Sequence, residues 1–286
     1  MKDVGLPASI SERICLWLNK RFKPPKGLEI LIDNPTPEGR AEYSYQSAVG
    51  KFMKTLELIP EDEQNQRCIL DLGCGYGGFV GLLCEKGGGR ITGLDIDFEI
   101  LVSAKKFLFE KKVTRCRVDF VQADSQELPL ASNKVDLVYS IATMEHFQNP
   151  TKALAECYRV LRKNGLLYVQ FSPYYAHNGA HLFDFIHIPW CHLFFSQKTL
   201  VRVWKRLAVR NPQLAKLNTS VDLVRSRLAG LNKISVRKFK RLLRESSFHL
   251  LSYQENTFDR WHLKIFQKIP WLKELLTVEV IAFLCK

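Results

Sequence analysis

The chain has 286 residues, 46% of them hydrophobic and 25% charged, as is ordinary for a globular protein with one large domain or one domain and an added lid. No run of about eighteen apolar residues occurs and the N-terminus lacks a signal-peptide core, so neither a transmembrane helix nor secretion is expected and the protein reads as cytoplasmic. The net charge of +13 is local: residues 196–244 hold fourteen Lys and Arg against Asp222 alone, while the remainder balances at 28 of each sign.

Taken in order, residues 9–22 read as a helix. Ser9 or Ser11 caps it, Ile10, Ile14, Trp17 and Leu18 form an apolar stripe, and Lys20, Arg21 and Lys23 close it before Pro24 and Pro25. A second helix over 38–58 carries Tyr43 and Tyr45. Eight cysteines lie scattered at 15, 68, 74, 84, 116, 157, 191 and 285 without a Cys-x-x-Cys pair. Reduced core thiols are expected rather than a disulfide or zinc framework.

From 68 to 172 strand and helix alternate. Strands are expected at 68–72, 90–95, 117–123, 134–141 and 166–172, and helices at 77–86, 97–112 and 151–163. Such alternation predicts a parallel sheet with helices on both faces and ligands beyond the carboxyl ends of the strands. The first strand runs into CILDLGCGYGG, with Asp71 followed by Gly73, Gly75, Gly77 and Gly78. That is strand, tight glycine turn and helix, where the backbone approaches a ligand without a Cβ in the way. A glycine pattern alone also fits a dinucleotide site. However, Asp71, Asp95 and Asp124 stand at three successive strand ends. Three carboxylates suit an ammonium, a ribose diol and an exocyclic amine better than a pyrophosphate. After the fourth strand, IATMEHFQNP brings Glu145 and His146 to the same edge, where a histidine can deprotonate a hydroxyl or amine.

Residues 173–232 interrupt the alternation with PYYAHNGAHLFDFIHIPWCHLFF and two amphipathic helices, the second over 211–230. His177, His181, Asp184, His187 and His192 match no zinc signature, so no metal is expected. They read as a polar pocket wall, and the aromatics around them as a lid over an apolar or aromatic ligand. A capped helix from Ser235 and strands at 248–254 and 277–286 complete the chain.

In the glycine stretch, the three strand-end acids and the Glu-His loop, the chain resembles the class I S-adenosylmethionine (SAM)-dependent methyltransferases, and among them the small-molecule group often called type 11. The resemblance implies an α/β fold, a Rossmann-like seven-stranded mixed sheet with the seventh strand antiparallel between the fifth and sixth. It divides the chain into an N-terminal helical cap (1–66), a SAM-binding core (67–172 and 233–286) and an inserted, α-helical aromatic and His-rich lid and substrate region (173–232). It implies SAM as cofactor and S-adenosylhomocysteine as product. Gly73 and Gly75 would pass under the methionine part, Gly77 would belong to the same cofactor site, and Asp71 would lie near the ammonium. Asp95 would accept the ribose hydroxyls, and Ile96 would pack on the adenine. Asp124 and the Ser125 backbone would meet the adenine edge, and Ile141 would line the same pocket.

The expected activity is methyl transfer to a small-molecule acceptor, with O-methylation preferred over N- or C-methylation. His146 and His181 are the catalytic candidates. Tyr43, Tyr174, Tyr175, His177, Asp184, His187 and Trp190 are the candidates for acceptor binding. The basic 196–244 face offers a docking site for an acidic partner, an anionic membrane surface or a carrier protein. Nucleic acid is disfavoured, because no RNA-binding module is recognisable. The rival readings are a non-catalytic SAM-binding protein that docks an acidic partner, an RNA methyltransferase, and a nicotinamide-dependent oxidoreductase.

Overall fold

The computed structural model describes residues 7–24, 34, 36–56, 67–86, 89–179, 181–182, 185–210, 231–257 and 269–286. Its helices are α1 (Ile10–Asn19), α2 (Pro37–Leu56), α3 (Gly78–Glu85), α4 (Phe98–Glu110), α5 (Pro150–Val160), α6 (Cys191–Phe194), α7 (Gln197–Arg210), α8 (Val236–Glu245) and α9 (Pro270–Leu276). Its strands are β1 (Cys68–Leu72), β2 (Arg90–Asp95), β3 (Arg117–Gln122), β4 (Val135–Ile141), β5 (Leu161–Phe171), β6 (His249–Thr257) and β7 (Thr277–Cys285). The expected helix over 211–230 and residues Phe183 and Asp184 lie outside the described residues.

The seven strands form one sheet in the order β3-β2-β1-β4-β5-β7-β6. β1 pairs in parallel with β2 and β4, β2 with β3, and β4 with β5. At the far end of β7 the direction reverses. Asn164 N–H donates to the Lys286 carbonyl (3.2 Å) and Lys286 N–H to that of Gly165 (3.0 Å), so the end of β7 meets the start of β5. The sheet is therefore mixed, with its last strand inserted between the fifth and sixth.

β5 starts earlier than its apolar alternation shows. Leu161 already pairs with Val135, and the next pair is Leu137 with Leu166, so the polar residues 162–165 bulge out of register. Asn164 takes φ 61°, and Arg162 binds Asp136 at 2.7 Å. In the sequence, RKNG reads as a turn.

The chain divides into two compact units. One comprises 36–171, 237–254 and 281–286, the other 1–35, 172–236 and 255–280. In the first, Phe79, Val80, Leu82 and Leu83 of α3 and Leu101 and Phe107 of α4 close on Ile69, Ile91 and Leu137 of the sheet. Each fully buried side chain of this kind contributes about 1.5–3 kcal/mol. Tyr139 is completely buried and meets Phe79 and Tyr168 edge to face at 5.1 and 5.8 Å. α2 belongs to this unit and runs along α3 and α4, with Tyr45 bonded to Glu85, Lys106 to Glu38 and Lys111 to Glu42.

The second unit has its own core. Cys15 of α1 packs with Leu182, Phe185, Ile186, Leu200 and Trp204. Ser9 caps α1 by accepting from Glu12 N–H. The stripe Ile10, Ile14 and Trp17 does not serve this core. It faces solvent, and Glu12, Cys15 and Asn19 are buried in its place.

One cysteine expectation is corrected. Cys84 at the end of α3 and Cys116 just before β3 form a disulfide, their Cα atoms 5.3 Å apart. The two lie 32 residues apart in the chain, and only the β1-β2-β3 order brings them together. Cys15, Cys68, Cys74, Cys157, Cys191 and Cys285 are free thiols, as expected.

Candidate active site

β1 ends in a turn with two glycines in the left-handed region, and at the first of them a Cβ would clash. Gly73 has φ +76°, and a Cβ there would lie 2.3 Å from Thr143 Cγ2. Gly75 has φ +52° with nothing within 4 Å of the position a Cβ would take, so open space lies above the backbone. The turn is pinned to the neighbouring strand. Gly73 and Cys74 N–H both donate to the Leu94 carbonyl (2.7 and 2.9 Å), and Gly75 N–H donates to Asp95 Oδ2 at 3.0 Å. Gly77, at φ +78°, is the N-cap of α3, whose first-turn N–H groups point toward the turn.

Asp71 is the most telling side chain of this edge. It is 2% exposed, and its Oδ2 has no hydrogen-bond partner. Burial, together with the nearby charge of Asp95, raises its pKa to about 8. A buried carboxylate without a partner is costly, and a cationic group removes the cost.

Asp95 has both oxygens engaged by backbone N–H groups, Oδ2 by Gly75 and Oδ1 by Asp97 at 3.1 Å. Each oxygen keeps a lone pair for a further donor. Ile96 follows, 66% exposed, its carbonyl accepting from Gln122 Nε2 at 3.1 Å. The exposed isoleucine offers an apolar face beside the Asp95 carboxylate. Asp124 is exposed and taken up by its neighbours. Gln126 donates to it through its backbone (2.9 Å) and its side chain (3.1 and 3.0 Å), and Ser125 Oγ lies at 3.5 Å. An amine reaching Asp124 must displace the Gln126 side chain or share the carboxylate with it.

Ile141 closes β4, and its carbonyl accepts from Thr143 Oγ1 at 2.9 Å. Ala142 then takes φ 51° and Met144–His146 form a short 3-10 turn, with Glu145 buried and His146 exposed. Thr143 and Gln126 escaped the sequence reading. Thr143 becomes visible only through its packing on Gly73, and Gln126 only through the turn that folds it onto Asp124. Tyr43 lies half-buried on α2 in this same unit.

The other candidates belong to the second unit. Trp190 takes φ 54°, unusual for so bulky a residue, and its indole N–H is shared between the Tyr175 and Leu275 carbonyls at 3.2 Å each. His177 lies edge-on to Trp190 at 6.2 Å. Tyr174 meets Tyr175 and His192 edge-on at 5.4 and 5.0 Å. His192 Nε2 lies 2.7 Å from the Tyr174 carbonyl, which makes Nε2 the protonated nitrogen. Burial lowers the pKa of His177 and of His192, so both favour neutral imidazole. His187 is held through its backbone N–H by Asn19 Oδ1 at 2.6 Å. His181 takes φ 52°. The structure thus gathers Tyr174, Tyr175, His177 and Trp190 into one aromatic cluster that also includes His192.

The sheet order, the glycine turn at the end of β1 and the acid-bearing ends of β1 and β2 define a Rossmann-like methyltransferase fold. Residues 70–169 match the Methyltransf_11 family, described as a methyltransferase domain. Phosphoethanolamine N-methyltransferase 1 of Triticum aestivum is 24% identical over 194 residues, covering 60% of this chain and 38% of that protein. Malonyl-[acyl-carrier protein] O-methyltransferase of Hamiltonella defensa is 32% identical over 130 residues, covering 45% of this chain and 47% of that protein. The chain spans less than half the length of these curated relatives. The solved S-adenosylmethionine dependent methyltransferase from Mesorhizobium loti shares the fold with a TM-score of 0.51 at 14% identity, over 82% of this chain and 97% of that one. The matched domain and fold imply SAM as the cofactor. The orphaned oxygen of Asp71, the open space above Gly75 and the exposed face of Ile96 fit that molecule.

Proposed function

We propose that this protein is a SAM-dependent methyltransferase acting on a small-molecule acceptor, with a hydroxyl or carboxylate oxygen as the methylated atom. The observation that carries the reading is Asp71, a buried and unpartnered carboxylate at the lip of a glycine turn. When bound, SAM supplies an activated methyl group on a sulfonium. Asp71 would hold its ammonium, Asp95 its ribose hydroxyls and Ile96 its adenine, while Gly73, Gly75 and Gly77 give the backbone room beneath it. Asp124, Ser125 and Ile141 would complete that pocket. His146 would take the proton from the acceptor, as a side chain whose ordinary pKa lies near neutrality. Alignment in a water-poor pocket supplies much of the rate, so losing the base slows turnover less than losing the cofactor site.

Residues 173–232 would form the acceptor region, with the Tyr174, Tyr175, His177 and Trp190 cluster, His187 and Asp184 as its recognition surface and His181 as a second proton carrier. Tyr43 would face the acceptor from α2. The oxygen preference is supported by the O-methyltransferase among the relatives, and the N-methyltransferase among them supplies the contrast. A second reading is favoured by α8, which exposes Arg237, Lys238, Lys240, Arg241 and Arg244: a SAM-binding protein that docks an acidic carrier through that helix.

A thermal-shift titration with S-adenosylhomocysteine, SAM, NAD and NADP tests the site, because a ligand of the folded state alone raises Tm by mass action. Stabilisation by the two sulfur compounds only is the expected result, and stabilisation by a nicotinamide cofactor refutes the reading. An acceptor panel scored for a methyl-sized mass gain, with base-labile products marking carboxylate esters, then separates the enzyme from the binding protein and oxygen from nitrogen.

A further inference from the structure

α1 presents its apolar stripe to solvent and buries its polar one. Glu12, Cys15 and Asn19, three and four residues apart, face the core of their unit. That face is fully occupied. Glu12 binds Arg206 at 3.0 Å and Arg202 at 3.4 Å, and Asn19 donates to the Phe185 carbonyl (2.8 Å) and accepts from His187 N–H. On the opposite side Ile10, Ile14 and Trp17 are 76%, 48% and 53% exposed. Their spacing places them in one stripe. Arg21 continues it, with its guanidinium 3.6 Å from the centre of the Trp17 ring.

The exposed charges of the helix and of the residues that follow it have one sign. Arg13, Lys20, Arg21 and Lys23 are all exposed, and the only acid between residues 7 and 24 is Glu12, held on the buried face. The same unit exposes two further apolar side chains. Leu193 and Phe194 of α6 are 39% and 74% exposed, and they directly precede α7, whose first turn is tied to α1 by Ser11 Oγ and Thr199 Oγ1 at 3.3 Å.

An exposed Ile and Trp stripe is stabilised only where an apolar phase takes it up, and a cationic rim selects a negatively charged one. We propose that α1 is an interfacial helix that docks this protein on an anionic lipid bilayer. Ile10, Ile14 and Trp17 enter the headgroup boundary and Arg13, Lys20, Arg21 and Lys23 lie at the level of the lipid phosphates. Ten residues span only about 15 Å, too short to cross a bilayer but enough to lie in its plane. Tryptophan suits that boundary because its ring is apolar and its N–H is wet. The basic face of α8 belongs to the other unit and shares no residue with this stripe, so the two can be substituted separately.

The test is co-sedimentation of the full chain with vesicles of phosphatidylcholine plus phosphatidylglycerol, against phosphatidylcholine alone. Binding to the anionic vesicles is expected, weakening with added salt. Two variants are compared: Ile14→Ser with Trp17→Ser, and Arg13→Gln with Lys20→Gln and Arg21→Gln. All five positions are exposed, so the melting temperature should hold, and the charge variant tests the idea even if the apolar one folds poorly. Each removed cation should lower partitioning about fivefold, and the apolar variant should abolish it. Changing Arg237, Lys238, Arg241 and Arg244 to Gln should leave it unchanged. Equal binding to both vesicle types, no binding at all, or binding kept by both α1 variants would overturn the proposal. So would a dimer that the Ile14→Ser, Trp17→Ser variant dissolves without any vesicle binding, because the stripe would then cover a second copy of this chain.

Discussion

Asp71 is a carboxylate kept in a site it can occupy cheaply only with company. Its folded pKa, raised to about 8, lies above its ordinary value, so the native state holds a proton that the unfolded chain has released. Stability of the ligand-free protein should therefore fall as pH rises from the ordinary carboxylate range toward about 8. In Asp71→Asn that loss should vanish, while affinity for S-adenosylhomocysteine falls about tenfold or more, ~1.4–3 kcal/mol, and the ligand's stabilisation falls with it. Melting curves across pH, with and without the ligand, check both halves. A flat wild-type profile beside an undiminished ligand shift in the variant would remove Asp71 from the site. The residue itself was legible from its place after a β-strand and before a glycine turn. Its isolation was not, because an empty lone pair is a property of three dimensions.

Among elements, α1 shows how a helical pattern misleads. Its apolar residues repeat as a core-facing stripe should, yet a buried Glu12 with two arginines of α7 decides which way the helix faces. Burial alone would raise the Glu12 pKa, but hydrogen bonds from Arg206, Ser9 and Arg202 outweigh it and hold it below the ordinary value. Its stabilisation is complete above the ordinary carboxylate pKa and disappears as pH falls through the lowered one. Glu12→Ala should cost about 2–3 kcal/mol at neutral pH, less than a fully buried pair because the arginines are partly solvated. The difference in Tm from wild type should shrink in acid. The sequence could not disclose this pairing, since the partners lie about 190 residues away. The Cys84–Cys116 disulfide is hidden for the same reason. It closes a loop of 32 residues between α3 and β3, worth about 3–4 kcal/mol on chain-entropy grounds. Reduction should lower Tm in wild type and leave a Cys84→Ser, Cys116→Ser double variant unmoved.

At the scale of the molecule, the parallel half of the sheet was read almost residue for residue, because β1 to β4 and their helices carry local signals: apolar runs, glycine stops and caps at Asp97 and Asn149. The bulge at 162–165 and the solvent-facing side of α1 were not, because each depends on a partner distant in sequence. Likewise, the three strand-end acids were visible at once, whereas Thr143 packing on Gly73 and Gln126 covering Asp124 needed coordinates. The strand order has a further consequence, in time rather than in space. β7 is made after every other strand, yet it separates β5 from β6 in the sheet. Lys286 anchors it by donating through Nζ to Asn133 Oδ1 and to the carbonyls of Arg159 and Leu161. Until residues 277–286 leave the ribosome, β5 has an open edge and β6 no neighbour. Such contacts between distant parts of the chain form slowly, and they leave an unpaired strand edge exposed to other chains. The nascent protein therefore passes through a stage, ended only when residues 277–286 arrive, in which the glycine turn and the five parallel strands are already in place while β6 still lacks the strand that joins it to them.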